Sequence, residues 1–399
     1  MRVGLLISNP PPSLGGGYTY QQDLFGCFLE VAAESRHEFH IICEPAYARD
    51  FEAAAAGIPN VSIAPMAAAL TPRPARSLLR LLTRALQYQS DFLSREARVG
   101  TERRLQLLWS LGHYAHEAFD FPYITTALDI QHRIQPWFPE VSRGRQWKIR
   151  EDYFSDYLRR AAYVVAGTKE GQKEIELFYG VLPNRIRVLP LATPRFALEG
   201  AERDVEARLA ALGVKPGYLF YPAQFWAHKN HVNLLRALRI LHDFGLQYEL
   251  VLVGSDHGNE AHVRKAVADL GLEQHVRFLG FVPQEDLVAL YRGAGALAFV
   301  TFFGPDNLPP LEAFALGCPV VASDLPGAAE QLGDAALLVP PDKPEGIAEA
   351  LRRLHDDRGL RETLLERGRR RAQSWTGKDY IRGVFGIIDE FDAVRRCWE

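Results

Sequence analysis

The chain reads as an α/β protein of two Rossmann-like domains facing a cleft. Three observations predict this. Residues 1–193 alternate apolar strand runs with helical stretches, which argues for a mostly parallel, helix-covered sheet. A polar segment, 194–215, then interrupts, and the same alternation restarts at Tyr218. The length, 399 residues, suffices for two such units. Composition agrees, with 47% hydrophobic and 24% charged residues, ordinary values for a globular chain. A net charge of −3 gives no argument for nucleic acid. Cys27, Cys43, Cys318 and Cys397 are scattered, without metal-ligand spacing, which fits a reducing, cytoplasmic setting and no bound metal. Residues 1–8 are too short an apolar run for a signal peptide, and no run reaches membrane-spanning length.

Residues 2–8 read as a buried strand. The loop NPPPSLGGG and a helix from about Tyr18 to Ala33 follow. Three glycines are more than a plain turn needs, yet the loop is not a dinucleotide fingerprint. Residues 39–43 are the next strand, and 64–69 close a stretch of weak signal. Residues 71–108 read as a helical insertion, with a basic amphipathic helix at 73–86: Leu78, Leu79, Leu81, Leu82 and Leu86 on one face, Arg73, Arg76, Arg80 and Arg84 mostly on the other. Such a helix either touches an anionic membrane surface or packs on the core with its arginines solvated. Ile124–Leu128 reads as a strand with Asp129 and His132 at or just beyond its carboxyl end, where open α/β sheets bind ligands. A carboxylate and an imidazole there can orient a hydroxyl and help its proton leave, or serve a loop network. Helices at 147–160 and 169–179 and strands at 161–168 and 185–193 complete the first half.

In the second half, strand 218–223 leads through QFWAHKNH to a helix at about 232–244, with Lys229 in the loop. An ammonium there can neutralise a diphosphate, although an exposed loop lysine is commonplace. Strands at 248–255 (ending in Gly254-Ser255) and 276–283, then a helix and strand over 287–301, lead into TFFGPDNLPPLEAFALGCPVVAS at 301–323. This last stretch reads as a Gly/Pro/Asn loop, a helix from about Pro310 to Gly317 with Glu312 in its first turn, and a buried strand. A loop aiming amides at a helix start binds anions, and the carboxylate can accept two ribose hydroxyls. By spacing alone an ordinary βαβ unit is the favoured reading.

The 301–323 stretch resembles the signature of the retaining, family 4 glycosyltransferases of the GT-B fold, glycosyl transferases group 1. Their pattern is Glu, Gly-Phe-Gly-Leu-Pro, and a second Glu eight positions after the first. Leu308, Pro309, Leu311, Glu312 and Ala313 match, as does Gly-Cys-Pro-Val-Val-Ala-Ser at 317–323; Gly304 replaces the first Glu, and Asp306 is its candidate substitute. The resemblance is strong over 218–330 and thin elsewhere. It implies an acceptor domain at 1–195, a nucleotide-sugar donor domain at 196–378, and a closing helix at 379–399 that returns to the first domain. It implies donor-binding roles for Gly16, Gly17, Gln224, Lys229, Gly254, Phe281, Val282, Asp306, Asn307, Leu308 and Glu312. Gln224 stands where the family carries an Arg that brings charge. Asp129 and His132 gain from the family's Asp-Leu-Gln-His, and with Lys229 they are the candidate catalytic residues; Leu128 occupies the place of a His many members carry.

The expected function is transfer of a sugar from a nucleotide-diphosphate donor to an acceptor hydroxyl with retention, in polysaccharide or glycolipid assembly, without cofactor or metal. The expected partners are the donor and a carbohydrate or lipid-linked acceptor. Alternatives are a sugar-nucleotide epimerase of the same shape, a phosphorylase-like enzyme, for which no cofactor-lysine motif is found, and a non-catalytic sugar-nucleotide-binding scaffold.

Overall fold

The structure, a computed structural model, describes residues 1–7, 16–66, 95–111, 121–200 and 204–398. Among these residues the chain builds two parallel sheets. The first has the order β3-β2-β1-β4-β5-β6-β7, from β1 (Arg2–Leu6), β2 (Glu38–Cys43), β3 (Val61–Pro65), β4 (Leu107–Ser110), β5 (Tyr123–Ala127), β6 (Tyr163–Ala166) and β7 (Ile186–Val188). The second has the order β10-β9-β8-β11-β12-β13, from β8 (Leu219–Pro222), β9 (Leu250–Val253), β10 (Val276–Phe278), β11 (Ala296–Phe299), β12 (Val320–Ser323) and β13 (Ala336–Val339). Parallel strands need helical crossovers, which cover both faces, so central strands such as Leu250–Val253 are apolar and buried along their whole length. Strand order reverses between β1 and β4 and between β8 and β11. The crevice beyond those strand ends is where such sheets take ligands.

One expected element is corrected. The reading of 71–108 as a helical insertion hid β4, which pairs with β1 (Val3 opposite Leu107) and with β5 (Leu108 opposite Tyr123). Leu-Leu-Trp-Ser is only one short apolar run behind the polar helix Arg95–Arg103, and four residues carry no usable periodicity. The basic helix expected at 73–86 lies outside the described residues.

The last helix, Gly377–Arg395, opens on a capping box between Thr376 and Asp379, which satisfies donors that a helix start leaves open. Its apolar face, including Tyr380, Ile381, Val384 and Phe385, completes the core of the first domain. Tyr380 meets Tyr20 edge-on at 6.1 Å, and Phe385 stands 5.4 Å from Phe39. The crossover helix Arg195–Glu199 is tied at one end to the first domain, where the Arg195 amide donates to Asp23 at 3.0 Å. Its Ala197 is buried in the core of the second.

Candidate active site

The loops after β8 and β11 meet at the reversal of the second sheet. After β8 the chain makes a short turn, Ala227–Lys229, and enters the helix His231–Asp243 through Asn230 in a left-handed conformation, φ 61°. The Asn230 side-chain Nδ2 donates to the carbonyls of Val300 (2.8 Å) and Pro341 (2.7 Å), and the Phe302 backbone amide donates to the carbonyl of His228 at 2.8 Å. These bonds pin the turn. The Lys229 ammonium lies 5.3 Å from the centroid of the Phe299 ring, within cation–π range. Burial lowers its pKa to about 8, against the opposing pull of Asp129 and Glu140. It is therefore mostly charged at neutral pH, poorly hydrated, and suited to a diphosphate.

The loop after β11 differs from expectation at three places. The helix runs Leu308–Leu316, so Glu312 lies in its second turn. Glu312 is buried, accepts a 2.6 Å hydrogen bond from the Tyr291 hydroxyl, and is pushed up to about 7 by burial. The Asn307 amide, expected to face phosphate, donates to Gln331 Oε1 at 2.9 Å, while Gln331 Nε2 donates back to the Asn307 carbonyl. Gly304 has φ 96°, and a Cβ there would stand 2.9 Å from the Asn307 side chain and from the Asp306 carbonyl. A side chain in the family's first Glu position would therefore be strained here.

Asp306 crosses to the first domain. It is 8% exposed, its Oδ2 has no hydrogen-bond partner among the described residues, and its carboxyl lies so close over Gly167 that any side chain at 167 would collide with it. Burial, with Asp129, Glu330 and Glu174 nearby, pushes its pKa up to about 7. Glu330, also from the second domain, accepts from the Lys169 amide with both oxygens at 2.9 Å, at the start of the helix Lys169–Tyr179, where a carboxylate is favoured.

Residues 205–371 match the family model described as glycosyl transferases group 1. The second domain belongs to that family. Among curated relatives, the O-antigen chain mannosyltransferase B of Escherichia coli is 35% identical over 163 residues, 40% of this chain and 42% of that protein. The D-inositol 3-phosphate glycosyltransferase of Salinispora arenicola is 31% identical over 253 residues, 59% and 56% of the two. The chain thus spans about half the length of the curated relatives it matches. Two solved structures share the fold over nearly the whole length. A Rickettsia africae glycosyltransferase has TM-score 0.69 and 14% identity, covering 98% of both chains. Anabaena HepE in complex with UDP and glucose has TM-score 0.67 and 17% identity, covering 98% of this chain and 100% of that one. The architecture is the two-domain α/β fold of these glycosyltransferases.

Within this glycosyl transferases group 1 domain, the other expected donor residues are distributed around the same strand ends. Gln224 accepts from the Trp226 indole at 3.0 Å. Gly254 comes so close to the next loop that a Cβ would stand 2.3 Å from the Ala223 carbonyl. Val282 is buried and Phe281 is 65% exposed. Leu308 packs on the core of the first domain. In that domain Gly16 and Gly17 open the first helix, Gly16–Val31. Asp129 is half-buried, accepts from the Gln131 amide at 3.0 Å, and shares the cleft's charge field with Lys229 and Asp306. His132 does not join it. It is fully buried, bonded to Tyr179 Oη (3.0 Å) and Glu151 Oε2 (3.3 Å), and stacked on Phe154. The short helix Gln131–Ile134 turns its ring inward, so His132 is engaged within the first domain and not at the cleft, where an acceptor-positioning role was expected. Sequence reasoning missed Glu140, His228, Tyr291 and Gln331. His228 stood inside a motif already singled out; the others carried no local signal.

Proposed function

We propose that the chain transfers a glycosyl group from a nucleotide-diphosphate sugar to an acceptor hydroxyl with retention at the anomeric carbon. The observation that carries this reading is Lys229: a poorly hydrated cation held at the reversal point of a glycosyl transferases group 1 domain, facing a second domain across the cleft. The barrier in such a transfer is departure of the diphosphate, and a fixed positive charge there stabilises the leaving group as charge develops. The lysine can supply that charge, so the proposal calls for no metal or other cofactor. Asp129, across the cleft, orients the acceptor hydroxyl. Glu312 anchors the ribose after exchanging its Tyr291 bond for the sugar hydroxyls, and a small movement of the 304–307 loop frees the Asn307 amide.

Polysaccharide or glycolipid assembly is the setting we propose, on the cytoplasmic side of a membrane, with the basic sequence at 73–86 contacting its surface. An O-antigen chain mannosyltransferase among the relatives supports the glycan acceptor, and a neighbour holding UDP and glucose supports the donor class. A second reading, a sugar-nucleotide-binding scaffold without turnover, is favoured by the engagement of Glu312 and the Asn307 amide within the protein. Thermal stabilisation by GDP, UDP, ADP and dTDP, followed by nucleotide release from the matching sugar donor, decides between them. Stabilisation with release supports the transferase, stabilisation without release supports the scaffold, and no stabilisation by any of them removes both. Epimer formation without an acceptor would instead mark an epimerase.

A further inference from the structure

We infer that Glu140 is a positioning residue: it reaches across the cleft from the first domain and, through His228, sets the loop that carries Lys229. The inference rests on the donor-site reading above and adds a residue to it.

The segment after β5 crosses to the second domain at three points. Gln135 Nε2 donates to the carbonyl of Phe302. The Phe138 ring lies 5.0 Å from Phe303 and 5.6 Å from Phe302. Glu140, its side chain 6% exposed, accepts from the His228 backbone amide at 2.9 Å and from His228 Nδ1. His228 stacks flat on Phe303, centroids 4.0 Å apart at 10°, and its carbonyl receives the Phe302 amide and the Thr301 hydroxyl. One imidazole is thus fixed by a carboxylate of one domain and by the β11 loop of the other. Lys229 is the next residue, held by the same turn.

The chemistry of the pair is consistent. Burial lowers His228 to about 4, with Lys229 also lowering it and Glu140 and Asp129 opposing. The ring is therefore neutral at physiological pH, with its proton on Nδ1 facing the carboxylate. The second oxygen of Glu140 is buried with no hydrogen-bond partner among the described residues, so His228 is the cross-domain partner that holds the carboxylate. Opening the cleft would expose this carboxylate, separate Phe138 from its two phenylalanines, and release the turn before Lys229.

The test compares Glu140→Ala and Glu140→Gln with the wild type. Gln keeps an acceptor for both His228 donors; Ala keeps none. Hydrogen exchange without nucleotide reads the strap directly. The Lys229 and Phe302 amides should exchange at least tenfold faster in Glu140→Ala and close to wild-type rates in Glu140→Gln, while the amides of β9 are unchanged. In the transfer assay Glu140→Ala should lose tenfold or more in kcat with a smaller change in donor KM, and Glu140→Gln should recover most of the loss. Unchanged exchange at Lys229 and Phe302 in Glu140→Ala overturns the strap. Equal loss in both variants overturns the positioning role and leaves a charge effect. If the wild type neither binds nucleotide nor transfers sugar, the donor-site reading fails, and the exchange experiment still decides the strap.

Discussion

Lys229 owes its properties to being half-buried: the Phe299 ring replaces part of its water shell, and an incoming diphosphate restores the lost solvation. Lys229→Ala should therefore weaken nucleoside diphosphate binding and cut turnover by two to three orders of magnitude, the loss expected when one charge-stabilising donor is removed. The melting temperature should stay within a degree or two. Calorimetry and initial rates check this, and unchanged affinity would remove Lys229 from the diphosphate. Asp306 works in the opposite direction. It is buried against Gly167 only while the domains meet, and there its pKa is raised to about 7. Closing the cleft thus takes up a proton between an exposed value near 4 and the buried value near 7. Closure is fully favoured below that window and loses about 1.4 kcal/mol per pH unit as pH rises through it, with no further loss above. The radius of gyration should grow from pH 5 to pH 8, and Asp306→Asn should flatten that dependence; an equal slope in the variant would discard the mechanism.

At the scale of elements, the 301–323 stretch shows how a loop and helix are specified locally. Pro309 and Pro310 sit in the first turn, where a missing N–H costs nothing. Gly317 ends the helix in a left-handed conformation, φ 75°, where a Cβ is unfavourable. Gly317→Ala should destabilise the protein by roughly 1 kcal/mol, read as a lower melting temperature without loss of nucleotide binding. Gly304→Glu restores the family's first carboxylate in sequence only. At φ 96° it should cost ~1–3 kcal/mol and lower activity, because the side chain displaces Asn307 and with it the Gln331 contact. A gain in transfer rate would mean that the loop readily adopts the family's conformation.

The whole molecule is tied by the return of the Gly377–Arg395 helix and by the contacts across the cleft. Phe385 is buried among Phe28 and Phe39, so Phe385→Ala should cost ~3–5 kcal/mol. That loss belongs to the first domain, whose core the helix completes, and domain-resolved hydrogen exchange should find it there and not in β8–β13. The cross-domain contacts differ in kind. Beside the apolar packing of Phe138 on Phe302 and Phe303 and of Leu308 on the first core, Glu330 on the Lys169 amide, Glu140 on His228 and Asp306 over Gly167 are polar contacts whose partners water can replace.

The two βα series and the places of Lys229 in a loop after a strand and of prolines at a helix start were legible in the sequence, because each rests on local chemistry. The short strand β4 was not, since four apolar residues next to a polar helix carry no period. What the side chains do at long range was not legible either. His132 and Lys229 both looked like functional polar residues near strand ends, yet Tyr179 and Glu151 engage the first inside its domain while the second lies over the Phe299 ring at the strand ends. Glu140 and His228 are 88 residues apart, and Tyr291 and Glu312 are 21 apart. The sequence by itself determined the two βα series, apart from β4, and the loop that carries the lysine. Only the tertiary structure decided which polar groups are engaged and which are available, because a buried hydrogen bond is set by where two separate elements pack and not by the residues on either side of it.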